Sequence, residues 1–214
     1  MPIPGNSKAP FDRLPDGRGA RHDATAGIAQ VPSGTRVVFA PPALLRALHG
    51  VLQAEPAGTG PKNLSASGAA AGRAFGLVVD HELTNRQQPA LTDQPLEICV
   101  NLAERHFASQ GWGVLTGDLS LAPEHGIVIA RLRQSCCVAA LGPGTDFADA
   151  ALAGFLRGFL EHVSGQPLDC LEIGCARPGA PHCTFVITSA ERLEPAATLI
   201  GRMGPDAIIQ RLIG

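Results

Sequence analysis

Apolar side chains recur most regularly between residues 150 and 164. Leu152, Phe155, Leu156, Phe159, Leu160 and Val163 fall at i, i+3, i+4, i+7, i+8 and i+11, which places them on one face of an α-helix. Thr145 or Asp146 suits its start and Gly165 its stop. Ala150, Gly154 and Gly158, four apart, form a smooth ridge where another element can approach closely. Leu44, Leu45, Leu48, Val51 and Leu52 predict an earlier helix over residues 42–53, opened by Pro41 and Pro42. A second helix is expected from Ser65 or Ser67 to about residue 83, and its Gly and Ala content also lets a neighbour pack closely. A third is capped by Thr92 or Asp93, has Pro95 in its first turn and ends at Gly111. Leu96, Val100, Leu102, Ala103 and Phe107 form its apolar face.

Strand-like patterning occupies the rest. Residues 37–39 suggest a short strand or an entry segment, and residues 112–120 and 127–132 a hairpin around Pro123, Glu124, His125 and Gly126. Residues 135–141 read as a continuation of that hairpin or as a third strand. Residues 167–174 and 182–188 form a last hairpin, and residues 195–212 one or two short helices around Gly204 and Pro205. Helices first, then a strand pair, a long helix and a hairpin make an α+β protein, with helices packed on an antiparallel sheet. The expected organisation is a disordered arm over residues 1–35, one domain over 36–190 and a helical tail over 191–214.

Composition narrows the functions. The formal net charge of the 214 residues is -2, and no basic run appears, so nucleic acid is a poor partner. Aromatic content is 4% with no Tyr, which disfavours a base-stacking surface. The first residues carry no continuous apolar stretch and no window reaches membrane-spanning length, so a cytoplasmic protein without a membrane span is expected. In that setting the six cysteines point to metal or reactive thiols rather than disulfides. Five of them, Cys136, Cys137, Cys170, Cys175 and Cys183, follow residue 130.

Glu172, Cys175 and Cys183 stand as E-x2-C-x7-C across the last hairpin. A turn over residues 176–181 brings both thiols to one point, and thiolates with a carboxylate suit zinc, although spacing does not identify the metal. The fourth position is open to Asp149, Cys170, His182 or water, with Asp149 preferred. Cys136 and Cys137, read on a strand, point to opposite faces and share no metal. His49, His81, His106, His125 and His162 are scattered without a pairing pattern.

The segment from Ala153 to Ile187 resembles the 4-vinyl reductase domain family. It combines a helix carrying Gly154 and Gly158, the Ser164-Gly165 break, Glu172 with Cys175, the turn glycine Gly179, and Cys183 with Phe185. A looser likeness extends over roughly residues 40–190. The resemblance implies a homodimer and several possible uses. One branch holds sensory domains of phenol- and toluene-responsive activators, whose Glu, two Cys and an upstream helix Cys bind zinc beside an aromatic-ligand pocket. That upstream position falls at Asp149 here. A second branch comprises bacteriochlorophyll-cluster proteins, and vesicle-tethering subunits are similar in fold.

Three functions follow. The first is a non-catalytic module for a hydrophobic or aromatic small molecule, with Trp112, Leu115, Phe147, Phe155 and Phe159 lining the pocket. Its zinc is structural, at Glu172, Cys175, Cys183 and Asp149. The second is a vinyl reductase or carrier for a chlorophyllide-type tetrapyrrole, for which the chain offers no nucleotide-binding fingerprint. The third is a scaffold that docks a protein partner through the apolar tail residues Ile200, Met203, Ile208, Ile209, Leu212 and Ile213.

Overall fold

The computed structural model describes residues 21–23, 25–26, 28–30, 41–54, 59–142, 148–176 and 181–214. Within the expected disordered arm, β1 (Arg21–Asp23) and β2 (Ile28–Gln30) pair antiparallel. Asp23 closes their turn by accepting from the backbone N–H groups of Thr25 and Ala26. The strand expected at residues 37–39 lies outside the described residues.

Helix α1 (Pro42–Gln53) has the predicted bounds. Helix α2 (Thr59–Asn85) begins earlier than Ser65, since Pro61 is tolerated in a first turn. A short 3-10 turn (Leu91–Asp93) precedes α3 (Leu96–Gln110), which Gly111 ends in a left-handed conformation at φ 70. Strand β3 (Val114–Asp118), the single turn α4 (Ala122–His125) and β4 (Val128–Arg133) form the first hairpin.

The chain then departs from expectation. Residues 136–141 are not a strand but helix α5 (Cys136–Leu141). Gln134 turns to φ 55 and breaks the ladder, and Ser135 then caps the new helix by accepting from the N–H groups of Cys137 and Val138. Helix α6 (Ala150–Ser164), strands β5 (Asp169–Gly174) and β6 (His182–Thr188), and helices α7 (Ala190–Ala197) and α8 (Pro205–Ile213) complete the fold.

The sheet is antiparallel in the order β3-β4-β6-β5. Its inner face carries Leu115, Ala130, Leu132, Cys183, Phe185 and Ile187, packed under α2, α3 and α6. Its outer face carries Ile129, Ile173 and Val186, covered by Leu193 and Ala196 of α7 and by Ile208 and Ile209 of α8. The tail considered for a protein partner is therefore part of the domain. Its most apolar positions pack on the protein's own sheet, because a sheet with two apolar faces needs cover on both.

Helices α2 and α6 run side by side in the same direction at very short range. A Cβ at Gly68 would overlap the Ala151 carbonyl, and one at Gly72 the Phe155 carbonyl. In the reverse sense, one at Gly154 would strike Ser65 and one at Gly158 would strike Ala69. The two small-residue surfaces predicted to admit a close neighbour thus face each other.

This contact makes a paired prediction. Gly72→Ala should destabilise by about 1–3 kcal/mol or more, since backbone blocks the methyl. Gly50→Ala, where nothing lies within 4 Å, should stabilise by about 0.5–1 kcal/mol. Urea denaturation monitored by circular dichroism checks both.

Candidate metal centre

The geometry of the last hairpin rests on one extra residue. Cys170 stands opposite Ile187 and Glu172 opposite Phe185, so both point inward with the core. Simple alternation would then turn Cys175 outward, opposite His182. Instead the register shifts between Glu172 and Gly174, and Gly174 stands opposite Thr184. This β-bulge makes Ile173 the surplus residue and swings Cys175 onto the inner face beside Cys183. Gly174 also permits a close approach, because a Cβ there would lie 2.6 Å from Cγ of Pro205, the first residue of α8.

As a result, the ligand atoms of Glu172, Cys175 and Cys183 lie within 4.8 Å of one another. A tetrahedral zinc site has donor atoms about 3.3–3.8 Å apart, so a modest closure suffices. Glu172 and Cys183 are buried and Cys175 is half-buried. Neither carboxylate oxygen of Glu172 has a hydrogen-bond partner. Two unpartnered buried oxygens beside two thiols form a donor set that can hold a metal ion. The Ala176 N–H donates to Cys183 Sγ at 3.2 Å, a second support for a thiolate there.

Asp149 lies at the N-cap of α6 and is fully buried. Its Oδ1 accepts from the Ser135 hydroxyl at 2.5 Å, and its Oδ2 has no partner within ordinary geometry. It neighbours the cluster without belonging to the group of three mutually close donors. Cys170 faces inward and His182 stands opposite Arg133, and neither belongs to that group.

The electrostatics fit a site that wants a cation. Burial pushes the Glu172 carboxyl up to about 9, assisted by the charges of Asp149 and Cys175. Burial likewise raises Asp149, while its hydrogen bond from the Ser135 hydroxyl opposes that rise. Cys175 is lowered to about 7 because the Cys183 thiol donates to it, and Cys183 is correspondingly raised.

Of the ligand-pocket residues expected from sequence, Trp112, Phe155 and Phe159 come together, Leu115 lines a separate small cavity, and Phe147 lies outside the described residues. The nest also contains three residues not expected as pocket members, Phe75, His106 and Phe107. The His106 ring stacks on Phe155 at 5.2 Å and 7°, meets Phe75 at 4.0 Å and meets Trp112 edge-on at 5.2 Å. Its Nδ1 is buried without a partner, and burial lowers the imidazole to about 4. The helical period linking Ala103, His106 and Phe107 on α3 is the one sign of this in the sequence. His162, expected to be unpaired, is held at 2.6 Å by Asp80 of α2.

Residues 128–189 match the model of the 4-vinyl reductase domain, bearing out the resemblance read over residues 153–187. No curated protein matches the chain. Among solved structures, the phenol-responsive sensory domain of the transcription activator PoxR, with phenol, superposes at a TM-score of 0.62. It shares 14% identity, covering 86% of this chain and 93% of that one. Subunit 3 of a trafficking protein particle complex from Naegleria fowleri, covalently bound to palmitic acid, gives 0.48 at 12% identity over 69% of this chain and 93% of that one. A vinyl-4-reductase family protein from Methanocaldococcus jannaschii gives 0.32 at 18% identity over 71% and 98%. The first of these establishes the shared α+β fold. Among the described residues, no helix is long and apolar enough to cross a membrane.

A pH dependence follows from Glu172. Its folded value, about 9, lies above the ordinary 4.5, so the metal-free fold binds this proton more tightly than the unfolded chain does. The associated stability is full below about pH 4.5 and is lost as pH rises through about 9. Thermal melts of chelator-treated protein should show this decline, and Glu172→Gln should flatten it.

Proposed function

We propose that this chain, with its 4-vinyl reductase-type domain, is a non-catalytic module that binds a small hydrophobic or aromatic molecule, with zinc held at its last hairpin as a structural clasp. The observation that carries the ligand reading is the nest around His106. Five aromatic rings surround or adjoin a buried imidazole whose Nδ1 has no partner. Because burial keeps that imidazole neutral at neutral pH, it offers one unused hydrogen-bonding atom in an apolar setting. Such a site suits a single ring bearing one hydroxyl. The PoxR domain, similar in fold, was solved with phenol.

The interior favours a small ligand. The apolar cavity between α3, α6 and the sheet is lined by Val100, Ala103, Leu115, Leu156 and Ile187 among others and measures only about 10 Å³. That is roughly the space of one water, whereas larger cofactors occupy pockets of about 300–1,000 Å³. A one-ring compound needs a slight parting of α3 from α6, while a tetrapyrrole needs the core rebuilt.

Zinc suits the clasp because two thiolates and a carboxylate match its preferred donors. Bound there, it would tie β5 to β6 and neutralise buried charge, which is a structural role. Two copies pairing through Leu44, Leu48 and Val51, exposed on one face of α1, belong to the same reading.

Two measurements test it. Cys175→Ser should lower zinc content and melting temperature together, and unchanged zinc occupancy would remove the clasp. Calorimetry with phenol should show binding to the zinc-loaded protein, weakened at least tenfold in His106→Phe. Absence of binding by phenol and by alkyl-substituted phenols would remove the ligand reading.

A further inference from the structure

Helix α5 carries two adjacent thiols that alternation along a strand would separate. Cys136 and Cys137 occupy its first turn with their Sγ atoms 3.9 Å apart, not on opposite strand faces as expected from sequence. Both are free and only half-buried, whereas Cys99 and Cys183 are fully buried. Neither belongs to the three-donor group of the last hairpin, so the pair stands apart from the metal reading.

This turn is joined to the rest of the domain on several sides. The Cys136 N–H donates to the Trp112 carbonyl at 3.0 Å, and Trp112 meets His106 and Phe155 edge-on in the aromatic nest. The Cys137 N–H donates to Ser135 Oγ at 3.1 Å, and the Ser135 hydroxyl donates to Asp149 Oδ1 at 2.5 Å. The Arg46 guanidinium of α1 donates to the Ala140 carbonyl at 3.2 Å. Bonding the two sulfurs disturbs these contacts. Successive helix positions are rotated by about 100°, whereas a disulfide needs its Cβ atoms about 3.5–4.5 Å apart. Closure therefore pulls residues 136 and 137 out of helical geometry. The cost is low because α5 has only six residues, a length at which a helix has little stability of its own. Across one trans peptide the Cα atoms are about 3.8 Å apart, less than the usual disulfide span, which makes such a bond easy to reduce.

We propose that Cys136 and Cys137 form a modification site for hydroperoxides, closing reversibly to a disulfide between adjacent residues that unwinds the first turn of α5. One sulfur, as its thiolate, attacks the terminal oxygen of the hydroperoxide. The O–O bond breaks, and the departing alkoxide takes up a proton to become an alcohol. The neighbouring sulfur then attacks the resulting sulfenic acid and loses its proton, and water leaves. Two thiols and one hydroperoxide thus give one disulfide, one alcohol and one water, with the sulfurs supplying two electrons to the O–O bond. Exchange with two low-molecular-weight thiols, which leave as their own disulfide, restores the pair. Unwinding at Cys136 frees the Trp112 carbonyl, so the state of the pair is transmitted to the aromatic nest.

Trypsin isolates the pair, since residues 134–157 hold Cys136 and Cys137 and no other cysteine. The full chain is treated with a small molar excess of cumene hydroperoxide, alkylated with iodoacetamide and mapped by mass spectrometry. The 134–157 peptide should be lighter by two hydrogens and unalkylated, and dithiothreitol before alkylation should restore both labels. Two alkylated thiols after peroxide, oxygen addition without loss of hydrogens, or a disulfide from either residue to a cysteine elsewhere would overturn the proposal. Trp112 is the one tryptophan of the chain and reports the coupling. Its emission should shift on oxidation of the wild type, return on reduction, and stay unmoved by peroxide in Cys136→Ser and Cys137→Ser. No shift in the oxidised wild type, or an equal one in either variant, would contradict the unwinding. The peptide map of wild-type protein decides the chemistry even if a variant fails to fold.

Discussion

A single surplus residue in β5 decides which side chains the last hairpin brings together. Strand side chains alternate, so Glu172 and Cys175, three apart, belong on opposite faces. The bulge at Ile173 cancels that alternation and brings both to the face that carries Cys183. A bulge in an edge strand is easily lost unless something supports it. Here α8 supplies the support, since Pro205 packs against Gly174 at a distance that admits no larger residue. The C-terminal helices thus do more than cover the outer face of the sheet. They hold the strand irregularity on which the donor set depends.

The opposite side of the site is set by the glycine contact between α2 and α6. With Gly68, Gly72, Gly154 and Gly158 at the crossing, backbone meets backbone, and the aromatic side chains of α6 are directed to the flank where α3 lies. That arrangement collects Phe75, Phe155 and Phe159 around His106. The same helix begins at Asp149, whose charge acts on Glu172 of the candidate donor cluster. One rigid element therefore touches both the aromatic nest and the surroundings of the Glu172, Cys175 and Cys183 cluster.

Much of this is legible in the sequence. The helical periods of α1, α3 and α6 and the bounds of β6 follow from apolar spacing alone, and E-x2-C-x7-C marks the hairpin as the chemical centre. Two features are not. Residues 136–141 are short, apolar and β-branched only at Val138, so period cannot separate strand from helix, and the outcome turns on Ser135 capping and Gln134 adopting positive φ. His106 is inconspicuous in sequence because its importance comes from partners on α2 and α6, far away along the chain. The apolar tail is open to two readings for a similar reason: only the outer face of the sheet, built by non-adjacent strands, shows what it covers.

The proposed clasp depends on the last hairpin bringing an acidic group and two sulfurs close enough to share one cation. Anomalous diffraction at the zinc edge, from crystals of protein purified without chelator, is the decisive measurement. One strong peak within bonding distance of Glu172, Cys175 and Cys183 is expected. A peak bound by other residues, or none after zinc is supplied, would refute the metal centre.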